Sequence, residues 1–163
     1  MAQALDRKRT ESRRFDSPQQ EAFLNLWRTY DRLRLLEDEL FAKSNLTAQQ
    51  YNALRLLRAA HPEKVATLVL AARLVSRAPD ITRLVDKLAE RGLAERERDA
   101  ENRRIVRVGI TANGIALLDS LASQVRDCHE RQIGHLSAAE MRTLVDLLRK
   151  VRAPHESPDS NWR

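Results

Sequence analysis

The apolar residues of this chain keep a helical spacing along most of its length and change to a two-residue alternation in one short region. The first helical stretch has apolar side chains three or four residues apart, at Phe23, Trp27, Tyr30, Leu33, Leu36 and Leu40. This spacing predicts one face of a helix of about 20 residues. The alternation follows Gly92, where Val106, Val108 and Ile110 predict a strand. The pattern favours a mainly helical fold, and a content of four Gly and five Pro agrees with long helices.

Capping signals divide the next part of the chain into three helices. Thr47 and Gln50 form a capping box at the start of a second helix, which we expect to end before Pro62. A short helix is predicted at 67–74. A longer one is predicted at 76–91, ending at Gly92, a residue type common just beyond a helix C-terminus.

The longer of these helices is amphipathic. Its apolar side chains recur at helical spacing, at Ile81, Leu84, Val85 and Leu88. Its polar side chains, Arg77, Asp80, Arg83 and Lys87, lie largely on the other side. Two helices joined by a tight turn, the second with a basic and polar face, have the outline of a helix-turn-helix.

The segment RERDAENRR, residues 96–104, carries seven formal charges between two more apolar runs. Residues 93–98 and 104–111 can pair as antiparallel strands, with DAEN as the turn, because Asp and Asn tolerate turn conformations. A long helix from near Thr111 and a last helix from the capping box at 137–140 follow. The expected fold class is therefore mainly α: a winged helix-turn-helix with a two-stranded β-hairpin wing and flanking helices.

Charge and cysteine content limit the partners and the compartment. The formal net charge of +6 would attract an acidic partner, either nucleic acid or an anionic membrane. Cys128 is the single cysteine, which excludes an internal disulfide and fits a reducing cytoplasm. No apolar run approaches the ~18 residues that span a bilayer, and the N-terminal MAQALDRKRTESRR lacks the apolar core of a signal peptide. We expect a cytoplasmic protein without a membrane partner.

The sequence contains none of the familiar catalytic or phosphate-binding motifs. GxSxG, HExxH, the P-loop and GxGxxG are all missing from it. Asp and Glu alternate with Lys and Arg, as exposed helix charges usually do. We therefore predict that the protein is not an enzyme and has no catalytic residues, metal site or cofactor.

Residues 74–114, LVSRAPDITRLVDKLAERGLAERERDAENRRIVRVGITANG, resemble the winged-helix core of the MarR (multiple antibiotic resistance regulator) family. The predicted recognition helix, the Gly after it, the charged wing tip and the closing ITANG occur together at the family's spacing. The flanking helices also match in length and order. The resemblance covers the chain from roughly residue 19 to 151.

The resemblance implies a division of the chain into DNA-binding and dimerisation parts. Residues 46–111 would form the DNA-binding winged helix-turn-helix, and residues 19–45 and 112–152 would form dimerisation helices. The polar ends, 1–18 and 153–163, are expected to be a mobile basic arm and a mobile tail.

The resemblance also implies DNA contacts at the start of the recognition helix. The implied contact residues are Ser76, Arg77, Ala78, Pro79, Asp80, Thr82 and Arg83. Arg77 and Arg83 are candidates for guanine edges or phosphates, since a guanidinium can bind guanine bidentately. Asp80 could accept a hydrogen bond from cytosine or orient a neighbouring Arg.

In the wing, the implied contacts are Arg98, Asn102, Arg103 and Arg104. The family's wing tip typically carries Asp-x-Arg, with the Arg entering the minor groove, and this triplet falls here on residues 102–104. Asn102 cannot form the charge-assisted pair that an Asp would form. Arg104 would then be held less tightly, or by Asp99 instead. The alternative for the whole tip is a solvated turn.

Many regulators of this family bind a small molecule between the dimer helices and the winged helix. Trp27, Tyr30 and Tyr51 could line such a pocket and accept a small aromatic or phenolic effector, or could be ordinary core residues. Cys128 lies within a predicted helix, where burial is favoured over a thiol sensor.

The predicted function is a sequence-specific, DNA-binding transcriptional regulator. We expect a homodimeric repressor that binds a palindromic operator in double-stranded DNA and is released by a small-molecule or stress signal. Two alternatives are an activator and a winged-helix module that docks a protein without specific DNA binding.

Overall fold

The computed structural model describes residues 15–76, 80–157, 160 and 162. In chain order, these residues form helix α1 Pro18–Ala42, α2 Ala48–Ala60, strand β1 Val65–Ala66, α3 Thr67–Arg73, α4 Ile81–Glu90, β2 Ala94–Arg98, β3 Val106–Ile110, α5 Ala112–Ile133, α6 Ala138–Arg152 and a 3-10 turn Ala153–His155. Three predicted contact residues, Arg77, Ala78 and Pro79, lie outside the described residues, as do residues 1–14 of the predicted arm. None of the described helices combines the length and apolar character needed to cross a membrane.

The chain divides into two compact units, Met1–Leu36 and Glu37–Arg163. The described part of the first unit is mainly the beginning of α1, where the Ser17 hydroxyl accepts a hydrogen bond from the Gln20 backbone at 3.1 Å. Because α1 spans Pro18–Ala42, it confirms the first helix predicted from the sequence. Its large exposed apolar side chains are Phe23, Leu24, Leu26, Trp27, Tyr30 and Leu35.

The core of the second unit lies where α2, α3, α4 and β3 meet. The side chains most completely removed from solvent are Leu54, Leu57, Leu70, Val85, Leu88 and Val108. Burial of each such side chain contributes about 1.5–3 kcal/mol. Helix α5 adds Leu118, Leu121 and Val125 to the same core. The helix-turn-helix and the sheet therefore share one apolar interior.

The sheet has three antiparallel strands in the order β1–β3–β2. The predicted hairpin of β2 and β3 is confirmed, with Arg96 opposite Val108 and Arg98 opposite Val106. Strand β1 was not predicted. It is two residues long and pairs Val65 with Val108, so its sequence is too short to show an alternation.

The predicted helix ends are largely confirmed. Both capping boxes form, Thr47 with Gln50 and Ser137 with Glu140. Gly92 has φ of +64°. The Leu93 amide donates to the Leu88 carbonyl at 2.9 Å and the Gly92 amide donates to the Ala89 carbonyl at 2.8 Å. This is a Schellman ending, which requires a left-handed residue at the position of Gly92.

Helix α4 begins later than the predicted residue 76. Its first residue is Ile81, because the Asp80 side chain accepts a hydrogen bond from the Arg83 backbone at 2.9 Å and so caps the helix. Ser76 precedes the helix. The predicted start at residue 76 is therefore wrong, because the Asp80 cap sets the start of the helix.

Candidate nucleic-acid interface

The first turn of α4 presents a polar surface above a buried apolar face. Leu84, Val85 and Leu88 are buried, whereas Thr82 and Arg83 are exposed. Asp80 is occupied as the N-cap, a role that neither sequence-based alternative anticipated. A negative charge at this position also complements the partial positive charge of the helix N-terminus. Asp80 thus orients the turn that carries Thr82 and Arg83.

The segment before α4 is tied to α2. The Gln49 side-chain amide donates to the Ser76 hydroxyl at 3.1 Å. The Val75 backbone amide donates to the Asn52 side-chain oxygen at 3.1 Å. Predicted contact residue Ser76 is therefore exposed and positioned by Gln49. Sequence reasoning missed both α2 residues, because nothing in their spacing links them to a segment more than 20 residues away.

The two faces of the wing carry different charges. Arg96 and Arg98 pair across from Val108 and Val106, so they share the face of the sheet that packs on the core. The opposite face carries Glu95 and Glu97. The Lys64 ammonium lies 2.9 Å from Glu95 Oε1 and 2.6 Å from Glu97 Oε2. Hydrogen bonding to Glu97, and then to Glu95, raises the pKa of Lys64. Lys64 thus offsets part of the negative charge on this face of the wing.

Asp99 organises the wing tip. Its Oδ1 accepts hydrogen bonds from the Glu101 and Asn102 amides, each at 3.0 Å, and its Oδ2 pairs with Arg107 Nε. The hydrogen bond from Arg107, followed by the two backbone bonds, lowers the pKa of Asp99. Asp99 therefore pairs with Arg107. The sequence-based alternative in which Asp99 holds Arg104 is wrong.

Asn102 shapes the turn through its own hydrogen bonds. Its side-chain oxygen accepts from the Arg104 backbone at 3.1 Å, and its carbonyl accepts from the Ile105 amide at 2.8 Å. The side chains of Arg98, Arg103 and Arg104 are exposed, and none makes an ion pair with another described residue. Three of the predicted wing contacts are thus positive charges available to an acidic partner, and Asn102 holds their turn.

A groove of about 490 Å³ brings the recognition helix and the wing together. Thr82 of α4 and Arg104 of the wing both line it, together with Thr67 and Leu68 of α3. Arg96 also reaches this groove and pairs with Asp86 of α4. Sequence reasoning missed Arg96 and Asp86, because a pair between a helix and a strand leaves no local pattern.

Comparison with known proteins matches this arrangement to one family. The family model described as "MarR family" matches residues 46–106. The HTH-type transcriptional repressor NicR of Pseudomonas putida is 32% identical over 126 residues, which cover 77% of this chain and 78% of NicR. The chain belongs to the MarR family of transcriptional regulators. The resemblance inferred from the sequence is confirmed, as is the prediction of a DNA-binding regulator and not an enzyme.

Solved MarR-family structures share the fold. A MarR transcription factor from Planctomyces limnophilus is 57% identical, with a TM-score of 0.67, and the match covers 83% of this chain and 98% of that one. A mutant Escherichia coli MarR in complex with operator DNA is 28% identical, with a TM-score of 0.70, over 77% of this chain and 89% of that one. Bordetella bronchiseptica BpsR, whose DNA binding is regulated by 6-hydroxynicotinic acid, is 26% identical, with a TM-score of 0.70 and the same coverage.

The three residues predicted for the MarR effector pocket fall in different units. Trp27 and Tyr30 belong to the first unit and are 61% and 58% exposed. Tyr51 belongs to the second unit, where its ring stacks on Phe41 with centroids 4.5 Å apart. Burial raises the pKa of Tyr51. Tyr51 lines a cavity of about 390 Å³ with Arg55, Arg58, Ala59, Leu118 and Ala122. Sequence reasoning missed the two arginines.

Cys128 is buried, as predicted, with 5% of its surface exposed. Burial raises the pKa of its thiol, which favours the less reactive protonated form. Across the described part of the chain, no cluster of His, Cys, Asp and Glu could hold a metal ion. The candidate interface of this MarR-family protein is the exposed surface of helix α4 and the wing, which carries polar and cationic side chains.

Proposed function

We propose that this MarR-family protein is a homodimeric repressor that binds a palindromic operator and is released by a small molecule. One observation carries the proposal: Thr82 of α4 and Arg104 of the wing line a single groove, beside the unpaired cations Arg98 and Arg103. A helix fits the major groove of B-DNA, and arginine suits a narrow, electronegative minor groove. The cytoplasmic location predicted from the sequence is part of this proposal.

Support for repression and operator binding comes from relatives. NicR is described as a repressor, and the Escherichia coli MarR structure contains operator DNA. A two-fold dimer would place its two recognition helices in successive major grooves, which requires an operator with matching symmetry. Activation, the alternative sign of regulation, would be revealed by a reporter gene whose expression falls when this protein is deleted.

Fluorescence anisotropy with a duplex from the protein's own promoter region tests DNA binding. The affinity is expected to fall with rising salt, with a slope of about −0.9 per phosphate neutralised. A random duplex of equal length is the control. Equal affinity for the two duplexes at every salt concentration would contradict the proposal and favour a winged helix that docks a protein.

The proposed effector site is the cavity beside Tyr51. A small aromatic or phenolic acid fits its chemistry, because Tyr51 offers an aromatic ring and Arg55 and Arg58 offer positive charge. Arg58 also lies 2.7 Å from Asp119 of α5, so an anion at Arg58 would compete with a contact between helices. Regulation of BpsR by 6-hydroxynicotinic acid supports this class of ligand.

Release would follow from unequal binding to two conformations of the dimer. A ligand lowers DNA affinity only in proportion to its preference for the conformation that binds DNA poorly. A coupling of about 1–3 kcal/mol would weaken DNA binding by about 5–150-fold. Titration of the protein with 6-hydroxynicotinic acid, with and without DNA, measures this coupling. Arg55→Gln is expected to weaken binding of the acid. Binding of the acid with equal affinity in both titrations would contradict release by this compound.

A further inference from the structure

We propose that the ion pair between Asp86 and Arg96 is a positioning contact that holds the wing at a fixed orientation on the recognition helix. The inference rests on the proposed function, because its consequence is a change in affinity for DNA. Arg96 Nη1 contacts Asp86 Oδ1, and the two side chains are 35% and 40% exposed.

The ion pair joins the middle of α4 to the middle of β2. Asp86 lies one turn after Thr82 on α4. Arg96 lies at the middle of β2, opposite the fully buried Val108, and Arg98 follows it on the same face toward the tip. The pair therefore connects the recognition helix to the wing at the boundary between the packed core and the exposed tip.

A groove separates the start of α4 from the outer part of the wing. The groove of about 490 Å³ lies there, with Ile81 and Thr82 on the helix side and Arg104 and Ile105 on the wing side. Side chains separated by such a space lose their mutual contacts. The ion pair at the edge of this groove therefore orients the wing relative to α4, whereas apolar packing orients the other elements of the unit.

The other ion pairs of the wing do not reach α4. Lys64 bridges Glu95 and Glu97 on the opposite face, and Asp99 pairs with Arg107 within the hairpin. Among the ion pairs formed by residues that the structure describes, the pair of Asp86 and Arg96 is the one that joins α4 to the wing.

A positioning role and a purely electrostatic role predict opposite results for Asp86. The Asp86 carboxylate is a negative charge on the helix that faces DNA, so its removal alone would strengthen binding to a polyanion. If the carboxylate instead positions Arg96 and the wing, its removal makes the wing mobile, and binding weakens. Exposed ion pairs contribute little to folding stability, so the fold is expected to survive the substitution.

The test measures binding to the duplex that the wild-type protein selects most strongly from a random DNA pool. Asp86→Asn is expected to raise Kd by roughly 5- to 20-fold, within the range of coupling between residues of one ion-pair network. The salt slope should fall by about 0.9 for each phosphate contact that the wing loses. Asp86→Glu should restore binding, because it keeps the carboxylate.

Glu97→Gln is the matched control. It also removes one carboxylate charge, but from the hairpin face opposite to Arg96, and it breaks a pair with Lys64. We expect it to leave Kd unchanged or slightly lower. Arg96→Gln added to Asp86→Asn should cost no further affinity, because the first substitution already breaks the pair. Thermal unfolding of each variant identifies any loss of fold, and Arg96→Gln alone provides a second test of the same pair.

Unchanged or tighter binding by Asp86→Asn would overturn the inference while leaving the proposed function intact. A further loss in the double variant would also overturn it, since Arg96 would then contact DNA itself. Failure of the wild-type protein to prefer its selected duplex over random DNA would overturn the proposed function and this inference together.

Discussion

At the tip of the wing, a single carboxylate accepts three hydrogen bonds. Asp99 binds the amides of Glu101 and Asn102 and the guanidinium of Arg107. The charge-assisted pair that the family pattern places at residue 102 is thus formed by Asp99 and Arg107. Asn102 keeps the turn by accepting from the Arg104 backbone. The Arg104 side chain remains available to DNA.

Arg104→Gln tests this availability. We expect weaker binding to many DNA sequences and a salt slope lower by about one unit, because one phosphate contact is lost. Arg142→Gln on α6 removes the same charge far along the chain and is the control in fluorescence anisotropy. Equal losses in both variants would show that only net charge matters, and unchanged affinity in Arg104→Gln would remove the wing tip from the mechanism.

The stability of the wing is expected to depend on pH through the Asp99 carboxylate. Its folded-state pKa lies below the ordinary 3.8, mainly because Arg107 donates to it. The resulting stabilisation of the wing is complete above that ordinary pKa and is lost as the pH falls through the lower, folded-state pKa. Carboxyl NMR titration should place the Asp99 transition below 3.8, and Arg107→Gln should raise it. A transition at or above 3.8 in the wild-type protein would contradict the pairing.

Among the secondary-structure elements, α4 has a specific capping interaction at each of its two ends. Asp80 caps its N-terminus, and the left-handed Gly92 ends it in a Schellman motif. Gly92 was found from the sequence because Gly is the residue that most readily adopts positive φ. The Asp80 N-cap was not predicted, because the spacing of apolar and polar residues alone does not mark where a helix begins. Gln49 and Asn52 hold Val75 and Ser76 outside the helix, and these are contacts between elements distant in sequence.

Gly92→Ala should reduce the free energy of unfolding by about 1–2 kcal/mol, the cost of left-handed backbone in a residue with a Cβ. The nearest atom to an added Cβ is Asn113 Nδ2 at 3.9 Å, so steric overlap does not contribute. Gly92→Asn should reduce the free energy of unfolding by less, since Asn tolerates this conformation. Urea unfolding measures both values, and equal losses would argue against a backbone origin.

At the scale of the whole molecule, exposed apolar surface remains at both ends of the described chain. In the first unit it includes Phe23 and Trp27, and in the second unit it includes Leu147 and Val151 of α6. Helix α6 has no fully buried residue, and its Ala139, Leu144 and Leu147 line a shallow groove together with Leu136. Contiguous apolar surface of this kind marks an interaction site. A second copy of the chain is the occupant that the proposed function requires.

Leu147→Ser should shift the protein toward the monomer and weaken operator binding, because Leu147 is 56% exposed in one chain and would be buried in the dimer. Asp146→Ser, at the adjacent and more exposed position, is the control and should leave the dimer intact. Sedimentation equilibrium should give twice the chain mass of 18.7 kDa for the wild-type protein. A monomeric wild-type protein that still binds its selected duplex would contradict the dimer.

Most of the helices, the hairpin and the charged tip could be predicted from the sequence, because periodicity, caps and turn residues are local properties of the chain. The resemblance to the MarR family added Thr82, Arg98, Arg103 and Arg104, which are exposed on α4 and the wing. Which charges are already paired could not be predicted, because it depends on how the chain folds. Asp86 with Arg96 and Lys64 with Glu97 join residues that are distant in sequence, and ion pairing depends on the distance in space.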